Sequence, residues 1–361
     1  MWVPCETSTD FVMFPPGRIG KDSPHTLTLL SFLSLFRQTF SMKMGLLLII
    51  LFGALFTPVI ALPCRGSQES AQERPLYNPK LPDFTKIEIT TTKVGPNIYM
   101  LQGGPGSTVG VLTGPEGILV VDTQYPQLTE KIVAAIRKIS NAPVRFVVNT
   151  HVHPDHMGGN EAFAKMGAVI FARDELRTRL MHGLADAAGY RLPAPHGALP
   201  VVTYSGPTSI HIDGEDVELI PIPRAHTDGD TVVLFPAADV LMTSDIFRVT
   251  NGYPGADANN GGSVKGIIDG LGVAISLSGP NTKVIPGHGE FSDRAGLIAQ
   301  RDMIVYVWRE VASMIQAGKS ENEIVTAHPT APYDAKVDRG PDTADRFVRQ
   351  IYSEIKASAP N

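Results

Sequence analysis

Cysteine is scarce in this chain. Only two cysteines occur among the 361 residues, Cys5 and Cys64, and neither is near the histidine-rich segment described below. A disulfide framework needs several spaced cysteines, and a thiolate metal site needs cysteines in a group. The sequence therefore argues against both.

Clusters of basic residues and a phosphate-binding loop are also lacking. The formal net charge is −5, so nucleic acid is not an expected partner and we expect a small-molecule substrate. The pattern Gly-x-x-x-x-Gly-Lys-Ser/Thr does not occur, which excludes a nucleotide-binding loop of that type. Hydrophobic residues make up 43% of the chain, which supplies a core for one large or two ordinary domains.

A long apolar run spans residues 45–61. Met42-Lys43-Met44 precedes the run with a positive charge, and Val59-Ile60-Ala61 ends it with a small residue, which is the plan of a secretory signal peptide. The run is near the lower limit for a membrane span, so a retained anchor is the less favoured alternative. We predict cleavage near Ala61 and a periplasmic or secreted mature chain without a stable membrane partner.

The chain is predicted to have three parts. Residues 1–61 form an N-terminal extension plus signal peptide, and residues 62–84, rich in proline and polar side chains, form a flexible tether. Residues 85–357 form the catalytic domain, with C-terminal helices packed on it. The sequence leaves open which methionine is the true start, namely Met1, Met42 or Met44.

The segment His151-Val152-His153-Pro154-Asp155-His156 concentrates three imidazoles and a carboxylate at one point. It follows residues 146–150, an apolar stretch typical of a buried strand. A rigid strand end can turn several side chains of the following loop into one small volume. Imidazole nitrogen and carboxylate oxygen are ligands of zinc, iron and manganese. The segment therefore predicts a metal site.

Three more candidate ligands follow predicted strands in the same way. His226 comes shortly after residues 217–222, and Asp245 ends the apolar strand at residues 240–244. His288 follows residues 284–286 and lies between two glycines, which allow close approach of the backbone. We predict that these three side chains join the first cluster at one metal centre.

The hydrophobic pattern predicts sheets covered by helices, because strands in succession are followed by strands alternating with helices. Short strands are predicted between residues 87 and 112, and a buried strand at residues 117–122 precedes a helix at residues 128–139. Two amphipathic helices, residues 292–317 and 343–355, are predicted to pack back on the sheets.

Residues 85–300 resemble the metallo-β-lactamase-fold metallo-hydrolase superfamily. The resemblance rests on the His-x-His-x-Asp-His loop, a His in a His-Thr-x-Gly-Asp turn, the strand-end Asp and the late Gly-His-Gly. It implies an α/β fold, a four-layer αββα sandwich of two mixed β-sheets with outer helices, and a two-metal site at one edge. It also implies the ligands: His151, His153 and His226 for the first metal, Asp155, His156 and His288 for the second, and Asp245 as the bridge.

Two zinc ions are the expected cofactors, and iron and manganese remain open because imidazole and carboxylate ligands accept all three. Such ions lower the pKa of bound water from ~15.7 towards about 7 and so provide hydroxide at neutral pH. Asp155 is predicted to be catalytic, relaying a proton as the intermediate collapses. Arg248 is predicted to bind a substrate carboxylate, and Asp122 to hydrogen-bond a ligand histidine from outside the metal site.

The resemblance implies a metal-dependent hydrolase. Having both His151 and Asp245 resembles thioesterases and lactonases of the superfamily more than its typical β-lactamases. We therefore expect hydroxide attack on a carbonyl of a small molecule, in an ester, lactone, thioester or amide. A periplasmic metallo-β-lactamase acting on β-lactam antibiotics is one alternative. A non-hydrolytic iron or redox member of the same fold is another, although no stretch is left over for a flavin domain.

Overall fold

The computed structural model describes residues 82–183, 193–250, 252–335, 337 and 341–358. The predicted extension and signal peptide, and nearly all of the predicted tether, lie outside the described residues. The predictions on cleavage, on a membrane anchor and on the start methionine therefore stay predictions.

The first β-sheet has seven strands, which follow one another across the sheet in chain order. They are β1 (Thr90–Lys93), β2 (Ile98–Gln102), β3 (Val109–Gly114), β4 (Gly117–Val121), β5 (Val144–Val148), β6 (Val169–Arg173) and β7 (Val202–Tyr204). Strands β1 to β4 pair antiparallel, and β4 to β7 pair parallel. Parallel pairing requires crossover connections, and these carry helices on the outer face.

The second β-sheet has five strands. They are β8 (Thr208–Ile212), β9 (Glu215–Ile222), β10 (Asp230–Phe235), β11 (Val240–Met242) and β12 (Lys283–Ile285). Their spatial order is β12-β11-β10-β9-β8. The pair β11–β12 is parallel, and the other pairs are antiparallel. Both sheets are therefore mixed.

Apolar side chains fill the space between the sheets. Every residue of β4 is buried, because the strand has neighbours on both of its faces. Leu119 belongs to a core that also contains Leu219 and Val233 of the second sheet. Its neighbour Ile118 belongs to a different core, shared with Ile132 of the following helix. The alternation along one strand thus separates two layers of packing.

Helices cover both outer faces. They are α1 (Thr129–Ile139), α2 (Pro154–Met157), α3 (Asn160–Lys165), α4 (Asp174–His182), α5 (Val264–Leu277), α6 (Arg294–Gln316), α7 (Glu321–Thr326), α8 (Ala331–Asp334) and α9 (Pro341–Ser358). Helices α1 and α3 pack on the seven-stranded sheet, and α5, α6, α7 and α9 pack on the five-stranded sheet. The predicted four-layer αββα sandwich is confirmed. None of the helices in the described part of the chain has the length and apolar character that a membrane span requires.

Helix α5 is not predicted by the sequence pattern, because Gly266, Gly270 and Gly272 interrupt its apolar spacing and have low helix propensity. The structure gives the reason for the first of these glycines. A Cβ at Gly266 would overlap the carbonyl oxygen of Arg224, so the helix approaches that loop only with glycine there. The Ser263 hydroxyl accepts a hydrogen bond from the Gly266 N–H and caps the helix.

We predict that Phe347→Ala destabilises the domain by about 3–5 kcal/mol, the usual effect of removing a buried aromatic ring. Phe347 of α9 is only 1% exposed, and its ring stacks on Tyr253 with centroids 5.3 Å apart. Chemical denaturation of the metal-free protein measures the change. The exposed Lys356 of the same helix is the control, and Lys356→Ala should stay within about 0.5 kcal/mol. Equal effects of both substitutions would contradict the packing described.

Candidate metal centre

The predicted ligands meet at one edge of the sandwich because of the strand directions. Strands β4 and β5 are parallel, as are β11 and β12, so the carboxyl ends of each pair lie at the same edge. The His-x-His-x-Asp-His loop follows β5, Asp245 follows β11, and His288 follows β12. His226 lies in the loop between β9 and β10, whose antiparallel pairing brings it to the same edge.

Three imidazoles form a first group, consisting of His151, His153 and His226. His153 Nδ1 lies 3.1 Å from His151 Nε2 and 3.1 Å from His226 Nε2. Zinc–nitrogen bonds of 2.0–2.1 Å in a tetrahedral site place neighbouring ligand atoms about 3.3 Å apart. The spacing of the first group therefore fits a single cation.

Asp155, His156 and His288 form a second group. His288 Nε2 lies 3.4 Å from His156 Nε2 and 3.3 Å from Asp155 Oδ2. The third separation, from His156 Nε2 to Asp155 Oδ2, is 3.9 Å. These distances also fit one cation, with the carboxylate at the more open side of the group, because the Asp155 side chain is 17% exposed and that of His156 is fully buried.

Asp245 lies between the two groups. Its Oδ1 is 3.3 Å from the Nε2 atoms of both His156 and His288, and its Oδ2 is 3.5 Å from His226 Nε2. The buried Oδ1 has no hydrogen-bond donor among the described residues. A buried carboxylate oxygen without a donor is costly, and a cation beside it would remove the cost. The donor set and its spacing thus fit two cations with Asp245 between them.

In four of the five imidazoles, the ring nitrogen that points away from the centre contacts a partner of its own. His156 Nδ1 contacts Asp122 Oδ2 at 2.7 Å, and His226 Nδ1 contacts the carbonyl oxygen of Gly255 at 2.7 Å. His151 Nδ1 is 3.0 Å from the Ser244 hydroxyl, and His153 Nε2 is 2.8 Å from Asp257 Oδ2. Such contacts fix the ring orientation and leave the other nitrogen's lone pair facing the centre.

The structure places the predicted Asp122 directly behind His156. Its backbone is left-handed, with φ of 63°, which is strained for a residue other than glycine. The carboxylate also accepts hydrogen bonds from the Thr150 N–H at 2.8 Å and the Thr150 hydroxyl at 2.7 Å. These bonds hold the carboxylate against the start of the histidine loop.

Arg248, the predicted substrate-binding residue, lies next to Asp245. Its Nε is 3.7 Å from Asp245 Oδ2, and its side chain is 30% exposed. The guanidinium therefore sits beside the candidate bridging carboxylate while part of the side chain reaches solvent. Its role as a binder of substrate carboxylate stays a prediction.

Sequence reasoning missed two residues at the centre. Asp257 contacts His153 across 104 positions of the chain, and in the sequence it looks like an ordinary residue of a Gly-rich turn. In the sequence Asn160 looks like a helix-capping residue, but α3 begins at Asn160 itself. Its buried side chain instead pairs with Asn149, just before the histidine loop, through two hydrogen bonds of 3.0 and 2.8 Å.

The protonation of the metal-free centre differs between the two groups. Burial lowers the pKa of His151 well below its usual range, and it lowers the pKa of His226 to about 4. Burial also acts to lower the pKa of His156, but Asp122 and Asp245 outweigh it and raise that pKa well above its usual range. The pKa of His288 is likewise raised, because Asp245 and Asp155 outweigh burial.

The carboxylates are held ionised in return. Burial acts to raise the pKa of Asp245, but His288, Arg248 and His156 outweigh it and bring that pKa well below its usual range. The pKa of Asp155 is lowered in the same way by His156 and His288. The metal-free centre is thus charged at its second group and neutral at His151 and His226.

The chain therefore folds as a sandwich of two sheets, and its candidate metal ligands lie at the edge where strands from both sheets end. The chain belongs to the metallo-beta-lactamase superfamily, whose family model matches residues 102–289. The superfamily is one of metal-dependent hydrolases. The His and Asp groups described above agree with this, because each could hold a metal ion.

Two curated relatives represent different activities. A linear primary-alkylsulfatase from Pseudomonas sp. is 26% identical over 290 residues, which are 69% of this chain and 53% of the relative. A metallo-beta-lactamase type 2 from Bacillus cereus is 26% identical over 204 residues, which are 54% of this chain and 71% of the relative. The chain thus spans about half the length of the alkylsulfatase.

A solved structure supports the fold. The stereoselective inverting sec-alkylsulfatase from Pseudomonas sp. superposes with a TM-score of 0.53 at 18% identity, over 73% of this chain and 50% of that one. At this identity the likeness shows the fold alone. It agrees with the two mixed sheets and outer helices described above.

We predict that acid removes the second cation before the first. Protons compete with a cation for imidazole, and they compete best where the pKa is raised, as at His156 and His288. His151 and His226 have lowered pKa values and keep their lone pairs to lower pH. Bound zinc measured in zinc-buffered solutions from pH 8 to pH 4 should fall in two steps.

Two variants identify which cation leaves first. His288→Ala leaves the first group intact, and His226→Ala leaves the second group intact. The His226→Ala protein should lose its zinc at the higher pH. If it holds zinc to lower pH than the His288→Ala protein, the assignment of charge to the two groups is wrong.

We predict that Gly287→Ala disrupts the centre. A Cβ at Gly287 would overlap Asp245 Oδ1, so the carboxylate must move and both cations should bind more weakly. Zinc content after dialysis measures the effect. Gly272→Ala in α5 is the matched control, because a Cβ there meets nothing within 4 Å. Unchanged zinc content in Gly287→Ala would show that Asp245 tolerates displacement and is not needed as a bridge.

Proposed function

We propose that this chain is a hydrolase that holds two divalent cations and uses them to activate water against a small-molecule substrate. The convergence of seven ligand side chains from both sheets carries the proposal, together with the buried Asp245 Oδ1 that has no donor among the described residues. His151, His153 and His226 would bind the first cation, and Asp155, His156 and His288 the second, with Asp245 bridging.

The cations would supply a water of lowered pKa and positive charge for the developing anion. Two carboxylates of the chain have further roles. Asp245 links the two ligand groups, because each of its oxygens faces a different group. Asp155 is the more exposed of the two carboxylates in the centre. We assign it the relay of a proton: the ionised carboxylate would take a proton from the activated water and pass it to the leaving group, which requires access to the substrate.

The substrate class that we propose first is a carbonyl compound, meaning an ester, lactone, thioester or amide. Arg248 supports a substrate with a negative charge, because its partly exposed side chain lies beside Asp245 and a guanidinium can hold a carboxylate by two parallel hydrogen bonds. A β-lactam carries both a carbonyl and a carboxylate, so it belongs to this class. The similarity to a metallo-beta-lactamase type 2 agrees with it.

A sulfate ester is the second candidate substrate. The similarity to an alkylsulfatase covers 69% of this chain, a larger share than the 54% covered by the lactamase match. The same chemistry at Arg248 suits a sulfate group, whose oxygens accept hydrogen bonds as a carboxylate does. Both candidates need an activated water and an anion-binding side chain.

Zinc is the cation that we propose, because five imidazoles and tetrahedral spacing suit it. The imidazole and carboxylate ligands also accept iron and manganese. We further propose that the mature protein works in the periplasm or outside the cell, on the basis of residues 42–61.

A hydrolysis panel on zinc-loaded protein tests the proposal. It compares a cephalosporin, a lactone, a thioester, an alkyl sulfate and a phosphodiester. We expect a carbonyl substrate to have the highest kcat/KM, a chelator to abolish turnover and added zinc to restore it. Asp245→Ala should lower kcat/KM by at least roughly 100-fold, since even the outer partners of metal ligands contribute 10- to 100-fold.

The outcomes separate the candidates. Alkyl sulfate as the best substrate would replace the carbonyl proposal by the second candidate. Phosphodiester as the best substrate would contradict both substrate classes. Turnover that survives the chelator would contradict the use of cations altogether.

A further inference from the structure

Asp257 is a carboxylate that the resemblance and the substrate proposals leave without a role. It lies in the loop 253–263, between the 3-10 turn at Asp245 and helix α5. Its Oδ2 is 2.8 Å from His153 Nε2, on the side of the ring that faces away from the other imidazoles of the first group. Both side chains are 18% exposed, so the contact is largely shielded from water.

The contact has a counterpart in the second group. Asp122 Oδ2 lies 2.7 Å from His156 Nδ1, so each group contains one imidazole backed by a carboxylate. In both pairs the ring's other nitrogen faces the centre. We propose that Asp257 is a positioning residue for the first cation, acting through His153, as Asp122 acts through His156 for the second.

The contact fixes which nitrogen of His153 faces the cation. An ionised carboxylate only accepts hydrogen bonds, so His153 Nε2 must carry the proton that it donates to Asp257. The lone pair is then on Nδ1, the atom 3.1 Å from both His151 Nε2 and His226 Nε2. Without Asp257 the ring is free to adopt the other tautomer, which points an N–H at the cation.

The loop that carries Asp257 is fixed by helix α9. Gln350 Nε2 donates to the carbonyl oxygen of Ala256 at 2.9 Å, and Phe347 stacks on Tyr253. At the far end of the loop, Glu354 accepts hydrogen bonds from the Ser263 hydroxyl at 2.5 Å and the Val264 N–H at 2.7 Å. The loop is therefore held on both sides of Asp257, which restricts where the carboxylate can lie, as an orienting group requires.

The same loop also orients a second imidazole of the first group. The carbonyl oxygen of Gly255 accepts a hydrogen bond from His226 Nδ1 at 2.7 Å, and the Asp257 N–H donates to the His226 carbonyl oxygen at 2.8 Å. Two of the three imidazoles of the first group thus take their orientation from this loop. The imidazole of His156 takes its own from Asp122, at the end of β4.

The inference rests on the proposed function, because it assumes that the centre binds cations. The test is to measure zinc affinity, by competition with a chromophoric chelator, in two variant proteins that each keep only one of the ligand groups. His288→Ala keeps the first group, and His226→Ala keeps the second. In the His288→Ala background, Asp257→Asn should weaken zinc binding roughly 10- to 100-fold, the usual effect of losing an outer partner of a metal ligand. In the His226→Ala background it should change binding by no more than about twofold.

Asp122→Asn is the matched variant for the second group, and its effects should be the reverse. Asn at position 257 keeps the Oδ1 atom that accepts from the Asn259 and Asn260 N–H groups, so the turn retains its cap. Asn260→Ala is the control for damage to the loop. It removes the Asn260 Nδ2 hydrogen bond to Asp257 Oδ2 and leaves the carboxylate on His153, so zinc binding should stay within about twofold.

Three results would overturn the inference: equal weakening by Asp257→Asn in both backgrounds, no weakening in the first, or a loss in Asn260→Ala as large as that in Asp257→Asn. If neither background binds zinc, the substitution is tested in the protein that has both ligand groups. The measurement is then the zinc content that remains after dialysis against the chelator. The Asp257→Asn protein should keep about half the zinc of the parent, and equal contents would overturn the inference. A parent chain that binds no zinc would overturn the proposed function itself.

Discussion

The structure depends on balancing charge at an edge of the sandwich that is almost closed to water. Five imidazoles and the carboxylates of Asp122, Asp155 and Asp245 lie within a few ångströms of their neighbours in the centre, and all but His153 and Asp155 are buried. Buried charges are costly unless each has a partner. In the metal-free protein the raised pKa values of His156 and His288 provide positive charge for the carboxylates. Two cations between the ligand groups would provide it more completely.

Much of the fold and most of the centre follow from local sequence patterns. The His-x-His-x-Asp-His loop and the residues Asp245 and His288 stand directly after apolar strands. Parallel pairing of β11 and β12 brings Asp245 and His288 together, and packing of the two sheets brings the histidine loop against them. Helix α5 does not follow, because the glycines that allow its close approach to Arg224 also weaken its helical pattern. Asp257 does not follow either. Its contact with His153 arises from packing between distant parts of the chain, and a lone Asp in a Gly-rich turn is usually a turn residue.

The C-terminal helices extend the fold beyond the part that the family model covers. The match ends at residue 289, whereas α6 to α9 lie between residues 294 and 358. These helices complete the fourth layer of the sandwich, and α9 also touches the loop next to the first group. Side chains that never reach the centre thus decide where its ligands are held.

The candidate ligands come from both halves of the sandwich, and this has a mechanical consequence. His151, His153, Asp155 and His156 are attached to the seven-stranded sheet, and His226, Asp245 and His288 to the five-stranded sheet. Cations held by both sets would join the two sheets, and because the unfolded chain does not form the site, their binding free energy would add to the stability of the fold. A protein with cysteine at only two positions would obtain in this way a staple between its halves that a chelator, and not a reductant, can open.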